Sequence, residues 1–146
     1  TQILKSKSES ISETILSIFV QKPLILKNLV LENSEFFNFK FQDLLTNIKE
    51  NGIEIINNPK IDISLKEMID FLFLNNVKNE DLLKQEEDVI IKEISQYLKF
   101  LKQEYYKNKI SFIQNEIKNA ETQDNVAKIN ELLGELNNIC DFLNKL

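Results

Sequence analysis

The sequence predicts an all-α protein in which an N-terminal helical bundle is joined by a long helix to a C-terminal helical hairpin. Apolar residues recur at steps of three and four along most of the 146-residue chain, which is the spacing of one helix face. The chain contains only two Gly and two Pro, so few positions interrupt a helix. A hydrophobic fraction of 42% is too high for a disordered segment and supplies enough apolar residues for a packed core.

The first two helices are predicted from an apolar stripe and a proline. Residues 10–20 carry the stripe. Pro23 ends this helix and begins a second one over residues 24–31, because proline fits the first turn of a helix and disfavours helical backbone at the residue before it. The stripe consists of Ile11, Ile15, Ile18 and Phe19, and the candidate N-caps are Ser8, Ser10 and Ser12.

Two more helices follow in the predicted bundle. Residues 33–34 cap the third helix, and Gly52 ends it, where a residue with positive φ is favoured. Residues 53–63 alternate apolar and polar, and we expect an ordered loop there because a lone pair of short strands is marginally stable. Ser64 with Glu67 three residues later predicts a capping box for the fourth helix, which ends near residues 75–76. The core face of the third helix is Phe36, Phe37, Phe41, Leu44, Leu45 and Ile48.

A long helix is predicted beyond residue 79, since no Pro or Gly interrupts residues 79–120. As one helix this stretch would be about 60 Å long, which exceeds the width of a small bundle. Its apolar stripe slips by one residue between Tyr105 and Tyr106, and the slip rotates the buried face by about 100°. We therefore predict a bundle subdomain over residues 1–104 and a hairpin subdomain over 105–146. The stripe before the slip is Ile91, Ile94, Leu98, Leu101 and Tyr105.

The second arm of the predicted hairpin carries more apolar surface than the first. It follows a polar turn in which Thr122 or Asp124 is the expected N-cap. The stripe of the first arm spans about 80° of the helix circumference and that of the second about 160°. One arm therefore cannot cover the other, so the bundle, a second copy of the chain or another protein covers the remainder. The predicted partner-binding residues are Phe112, Val126, Ile129, Leu133, Leu136 and Cys140.

The composition excludes several classes of catalytic and metal site. The chain has no His, which removes the commonest general base and the commonest nitrogen ligand of zinc. All 18 basic residues are Lys, so no guanidinium group can bind a phosphate in a bidentate manner. One Cys cannot build a thiolate site, and no Gly-rich loop that could hold a phosphate is present. We expect neither catalysis nor a cofactor within this domain.

Lysines that alternate with aromatic residues between positions 99 and 109 are the one feature that resembles a nucleic-acid interface. Such residues more often form a solvated face whose aliphatic stems cover apolar surface. The chain also carries a net charge of −5, so we do not expect nucleic-acid binding through this domain. The residues are Lys99, Phe100, Lys102, Tyr105, Tyr106, Lys107 and Lys109.

The sequence gives no indication of a membrane segment. The longest uncharged run, Thr14 to Gln21, falls far short of the roughly 20 apolar residues that cross a bilayer. No secretory signal pattern is present, and a lone Cys140 on an apolar helix face is typical of a reducing compartment. We expect a cytoplasmic protein. Because the chain begins with Thr1 and not with Met, we also expect it to be part of a longer protein.

The order of elements resembles the C-terminal, helicase-binding domain of DnaG-type bacterial primases. The resemblance covers most of residues 10–146 and rests on three stretches. The first is a leucine- and isoleucine-rich helix that leads through Gln21 and Lys22 to Pro23. The second is the helix Ile94 to Lys109, and the third is the closing run Ile129, Asn130, Glu131, Leu132 and Leu133.

The resemblance implies a non-catalytic module whose bundle and hairpin dock on the N-terminal domains of the hexameric replicative helicase. Such a module recruits primase to the replication fork for RNA primer synthesis. The zinc-binding domain and the magnesium-dependent polymerase domain of the parent primase would lie upstream. Two alternatives remain: a self-associating helical module that forms a homodimer through its hairpin, and the N-terminal domain of the helicase itself, which shares this architecture. The absence of a linker after the hairpin favours primase.

Overall fold

A computed structural model describes residues 5–59 and 62–146, and those residues form helices and connecting segments without any β-strand. The predicted all-α fold is therefore confirmed. The chain divides into two compact units, Thr1–Leu101 and Lys102–Leu146, a few residues before the border predicted after residue 104. The α-helices are α1 (Lys7–Gln21), α2 (Pro23–Glu32), α3 (Gln42–Asn51), α4 (Ile63–Asn75), α5 (Glu80–Leu83), α6 (Glu87–Thr122) and α7 (Val126–Asn144).

Helix α1 is the buried centre of the first unit. It packs against α2 and α4, and its apolar residues Ile15, Leu16 and Phe19 are fully buried. Ser6 caps the helix by accepting a hydrogen bond from the Glu9 amide at 3.1 Å, so the predicted caps at positions 8, 10 and 12 are wrong. These positions lie within the helix, because the chain becomes helical before the apolar stripe begins.

Buried polar groups on α1 fix the segments around it. The Ser12 hydroxyl accepts a hydrogen bond from the Asn38 amide at 3.0 Å, and the Glu13 carboxylate pairs with Lys5 at 2.8 Å. The Ser17 hydroxyl donates to the Glu13 carbonyl, and the Ser17 carbonyl accepts from the Asn76 side chain at 2.7 Å. Every buried side-chain nitrogen and oxygen in the described ranges has a hydrogen-bond partner. Ser12, Glu13 and Ser17 therefore attach α1 to neighbouring segments through satisfied hydrogen bonds.

The predicted third helix is broken into shorter pieces. Two 3-10 turns, Ser34–Phe36 and Phe39–Phe41, precede α3, which begins only at Gln42. The Gln42 side chain donates to the carbonyls of Ser34 and Phe37 at 3.0 and 2.9 Å, so side-chain bonds replace helical ones. The expected aromatic core is nevertheless present, since Phe36, Phe37 and Phe41 are buried. Gly52 ends α3 with φ +88°, as expected for a residue without a Cβ.

Helix α4 begins earlier than its predicted capping box. Asp62 is the N-cap and accepts a hydrogen bond from the Leu65 amide at 3.0 Å, so Ser64 lies in the first turn. The helix ends at Asn75, as predicted. The expected loop before it contains the 3-10 turn Ile53–Ile56, whereas residues 60–61 of that loop lie outside the described residues.

The predicted long helix is present as α6, although it starts at Glu87 and not near residue 79. A 3-10 turn and α5 occupy the residues before it. Within the first unit Ile90 is 1% exposed and Ile91 is 38% exposed, so the buried stripe starts one residue earlier than predicted. It continues through Ile94, Leu98 and Leu101. The buried residues that α6 contributes to the second unit, Ile113 and Ala120, do not continue this stripe in register, which agrees with the slip predicted at residues 105–106.

Candidate partner-binding surface

The second unit is a hairpin formed by the end of α6 and by α7. Its core consists of Ile113, Ala120 and Leu132, each 5% exposed, with partly buried apolar residues packed around them. Because only three residues, 123–125, separate the two helices, they run antiparallel. The partly buried residues are Ile117, Ile129, Leu136 and Ile139.

The turn between the two helices is built from three polar residues. Asp124 has φ +52°, and its amide donates to the Glu121 carbonyl at 3.1 Å. Asn125 is the N-cap of α7 and accepts a hydrogen bond from the Lys128 amide at 3.2 Å. The prediction of Thr122 or Asp124 as this cap is therefore wrong. Asp124 instead takes the left-handed position that ends α6, which is possible for Asp because its short side chain tolerates this backbone.

Aromatic rings pack together toward the other end of the hairpin. Tyr106 on α6 stacks on Phe142 of α7 with ring centres 6.0 Å apart and planes 10° from parallel. Tyr105 meets Tyr106 edge to face, and the Lys109 ammonium lies 4.8 Å from the Tyr105 ring. The Tyr106 ring, one of those considered for base stacking, thus already stacks within the hairpin. Phe142 was not among the predicted functional residues, although it follows the partly buried Ile139 by three positions.

The six predicted partner-binding residues do not share one surface. Ile129 and Leu136 are partly buried and pack into the hairpin core. Val126 is 66% exposed, Leu133 is 43% exposed and Cys140 is partly buried. These three lie seven residues apart, which places them along one side of α7 over about 21 Å. We call Val126, Leu133 and Cys140 the open flank.

Phe112 is 66% exposed but lies on the opposite side of the hairpin from the open flank. It precedes the core residue Ile113 by one position, whereas Leu133 follows the core residue Leu132 by one. One residue corresponds to a rotation of about 100° around a helix axis. Viewed from one end of an antiparallel pair, a step back along α6 and a step forward along α7 rotate in the same sense, and because the two core faces point toward each other, the two side chains lie on opposite sides of the hairpin. A partner that covers the open flank therefore does not need to touch Phe112.

Among the ionisable groups of the described residues, the phenol of Tyr97 is clearly perturbed. Partial burial of Tyr97 raises the pKa of its phenol above 10.0, and the Glu93 carboxylate, which accepts its hydrogen bond, adds to this shift. In the described part of the chain, no three His, Cys, Asp or Glu side chains come together as a metal site would require. A search of the same residues found no helix with the length and apolar character of a membrane span.

Comparisons with known proteins found no relative of this chain. No protein-family model, curated protein or solved structure matches the chain.

Proposed function

We propose that this chain is a non-catalytic docking domain that recruits a DnaG-type primase to the replicative helicase for RNA primer synthesis. The observation that carries the docking role is the open flank: Val126 and Leu133 are exposed although the hairpin core beside them is complete. The choice of the helicase N-terminal domains as the partner rests on the resemblance in the sequence. Catalysis would belong to other domains of the parent primase.

The open flank suits a helical partner. Its residues repeat every seven positions, which is the spacing by which one helix presents a stripe to another. Val126 is 66% and Leu133 is 43% exposed, so burial of their exposed parts contributes about 2–3 kcal/mol together. A micromolar complex needs about 8 kcal/mol, so the open flank supplies part of the affinity and other contacts supply the rest. Asn130 and Asn137, one turn away on α7, would face the polar rim of the interface.

A pair of matched variants tests the proposal. The chain is mixed with its cognate hexameric helicase and the complex is measured by size-exclusion chromatography. Leu133→Asp places a charge in the open flank and should abolish co-elution at micromolar concentration, whereas Phe112→Asp, on the other side of the hairpin, should preserve it. Circular dichroism checks that both variants keep their helicity. The proposal fails if the unmodified chain does not co-elute, or if both variants bind alike.

Self-association is the competing function, and the seven-residue spacing of the open flank favours it as well. Two copies could pair their flanks in a symmetric dimer. Light scattering separates the two functions, since the docking proposal expects a monomer in the absence of helicase. A dimer that Leu133→Asp converts to a monomer would favour self-association.

A further inference from the structure

A continuous groove runs between α3 and α4 in the first unit. Its central depression has a volume of about 170 Å³ and lies between Leu44 on α3 and Leu65 and Met68 on α4. A second depression of about 220 Å³ shares Leu65 with it, and a third of about 280 Å³ shares Met68. Shared walls make the three depressions one groove, which we call the α3–α4 groove.

The floor of the groove is apolar and its rim is acidic. Leu44 and Leu65 are buried side chains at the floor, and Met68 is partly exposed. Asp43, Asp62 and Glu67 line the rim and are exposed. None of these three carboxylates takes part in an ion pair with another residue of the ranges 5–59 and 62–146.

Among the described residues that line the groove, the only cation is Lys40, and it already has partners. The Lys40 ammonium pairs with the Glu9 carboxylate at 3.0 Å. It also lies 5.6 Å from the centre of the Phe71 ring and 5.7 Å from that of Phe41. Three carboxylates against this one ammonium leave the described lining residues with a net charge of −2, so they present a negative rim to an incoming molecule.

We infer that the α3–α4 groove binds an amphipathic basic helix of another protein. The stretch from the N-cap Asp62 to Phe71 on α4 is about 14 Å long, and three side chains at positions i, i+4 and i+8 of a bound helix span about 12 Å. One aliphatic side chain would then enter each depression. Lys or Arg residues beside this stripe would reach the carboxylates of the rim.

The test uses the whole chain and a defined probe peptide of three Leu-Lys-Lys-Ala repeats, followed by amide chemical shifts in NMR. The shifts should saturate and should be confined to residues of α3 and α4. A peptide of three Leu-Glu-Glu-Ala repeats, with the charge reversed, should not bind. Shifts spread over the hairpin, or the absence of saturation at millimolar peptide, would overturn the inference.

A charge-matched pair of variants separates the groove from the general negative charge of the chain. Asp43→Lys should weaken binding of the probe about tenfold, because it reverses a charge at the rim. Asp81→Lys makes the same change in the first turn of α5, outside the groove, and should alter the affinity less than about twofold. Glu67→Lys provides a second rim variant. Equal weakening by Asp43→Lys and Asp81→Lys would contradict a specific site.

Because the groove and the open flank lie in different units, loss of helicase binding and loss of probe binding are distinguishable results.

Discussion

The backbone amide of Asn125 donates a hydrogen bond to the Ala120 carbonyl at 3.0 Å. This bond spans six residues and, with the Asp124 bond to Glu121, forms the Schellman motif that ends α6. The side chain of the same Asn125 starts α7. Asn125 therefore both ends one arm of the hairpin and begins the other, so the two helices are joined by the shortest connection that this motif allows.

Replacing Asp124 by glycine should stabilise the hairpin. Asp124 has φ +52°, a backbone conformation that costs residues with a Cβ about 1 kcal/mol or more and costs glycine almost nothing. Part of this gain is offset because glycine is more flexible in the unfolded chain, so we expect a net increase of about 0.5 kcal/mol in the free energy of unfolding. Urea denaturation measures the change. Gln123→Gly, one residue earlier and without positive φ, should be destabilising, and a gain for both variants would contradict the account.

Removing the cap of α7 should weaken its first turn. Asn125→Ala deletes the oxygen that accepts the Lys128 amide, at an expected loss of about 1 kcal/mol of the free energy of unfolding. Asn125→Asp keeps an acceptor and adds a negative charge at the helix N-terminus, so it should retain the original stability or exceed it. Amide hydrogen exchange of residues 126–129 locates the effect. Equal stability of the two variants would show that the cap contributes nothing.

Truncating Asn76 should destabilise the first unit. Its side chain donates to the buried Ser17 carbonyl at 2.7 Å and accepts a hydrogen bond from the Asn79 side chain at 3.1 Å. Asn76→Ala should cost about 1–3 kcal/mol of the free energy of unfolding, because it removes both bonds and leaves the buried Ser17 carbonyl without this donor. Asn58→Ala, at an exposed position, is the control and should change stability by less than about 0.5 kcal/mol. Thermal or urea denaturation gives both values.

The stability of the protein should fall in alkaline solution partly through Tyr97. Burial and the Glu93 carboxylate raise the pKa of the Tyr97 phenol above 10.0 in the folded state, so the unfolded chain loses this proton first as pH rises. The stabilisation by the neutral phenol is complete below pH 10.0 and is lost as pH rises through the folded-state pKa. Denaturation on either side of that pH should therefore show a smaller alkaline loss for Tyr97→Phe than for the unmodified chain. Glu93→Gln should give an intermediate result, because burial remains.

A single change in the middle of α7 should raise its stability. Gly134 has the backbone of an ordinary helical residue, and a Cβ built on it meets no other atom within 4 Å. Gly134→Ala should therefore add about 1 kcal/mol to the free energy of unfolding of the hairpin. The same variant should bind helicase as the original chain does, since Gly134 lies beside the open flank and not within it. A loss of binding would mean that the partner approaches the α7 backbone at this residue.

The long periodic segments could be predicted from the sequence, and the short connections could not. The stripes of α1, α6 and α7 repeat over several turns, and each added turn reinforces the same period. The segment 33–41 carries equally apolar residues, but its course depends on the Ser12 and Gln42 side chains, which bond to its backbone. The Ser12 bond joins residues 26 positions apart, and the Gln42 bonds reach eight and five residues back, so neither follows the period of a helix or strand.

The candidate site was predictable only in part for a related reason. The apolar residues of α7 cover a wider arc of the helix than one partner helix can bury, and this can be read from the sequence. Val126 and Leu133 are exposed, as that width predicts. The separation of Phe112 from them depends on the direction of the two arms and on which residues occupy the core. The α3–α4 groove involves two helices about 20 residues apart, and no pattern in either helix indicates it.

The seven-residue spacing of the open flank has a geometric consequence for whatever covers it. A straight α-helix has 3.6 residues per turn, so positions seven apart drift by about 20° with each repeat. From Val126 to Cys140 the stripe therefore winds around α7. A helix that follows it must coil around α7 in a left-handed supercoil, so the first contact between the two molecules already sets the crossing angle.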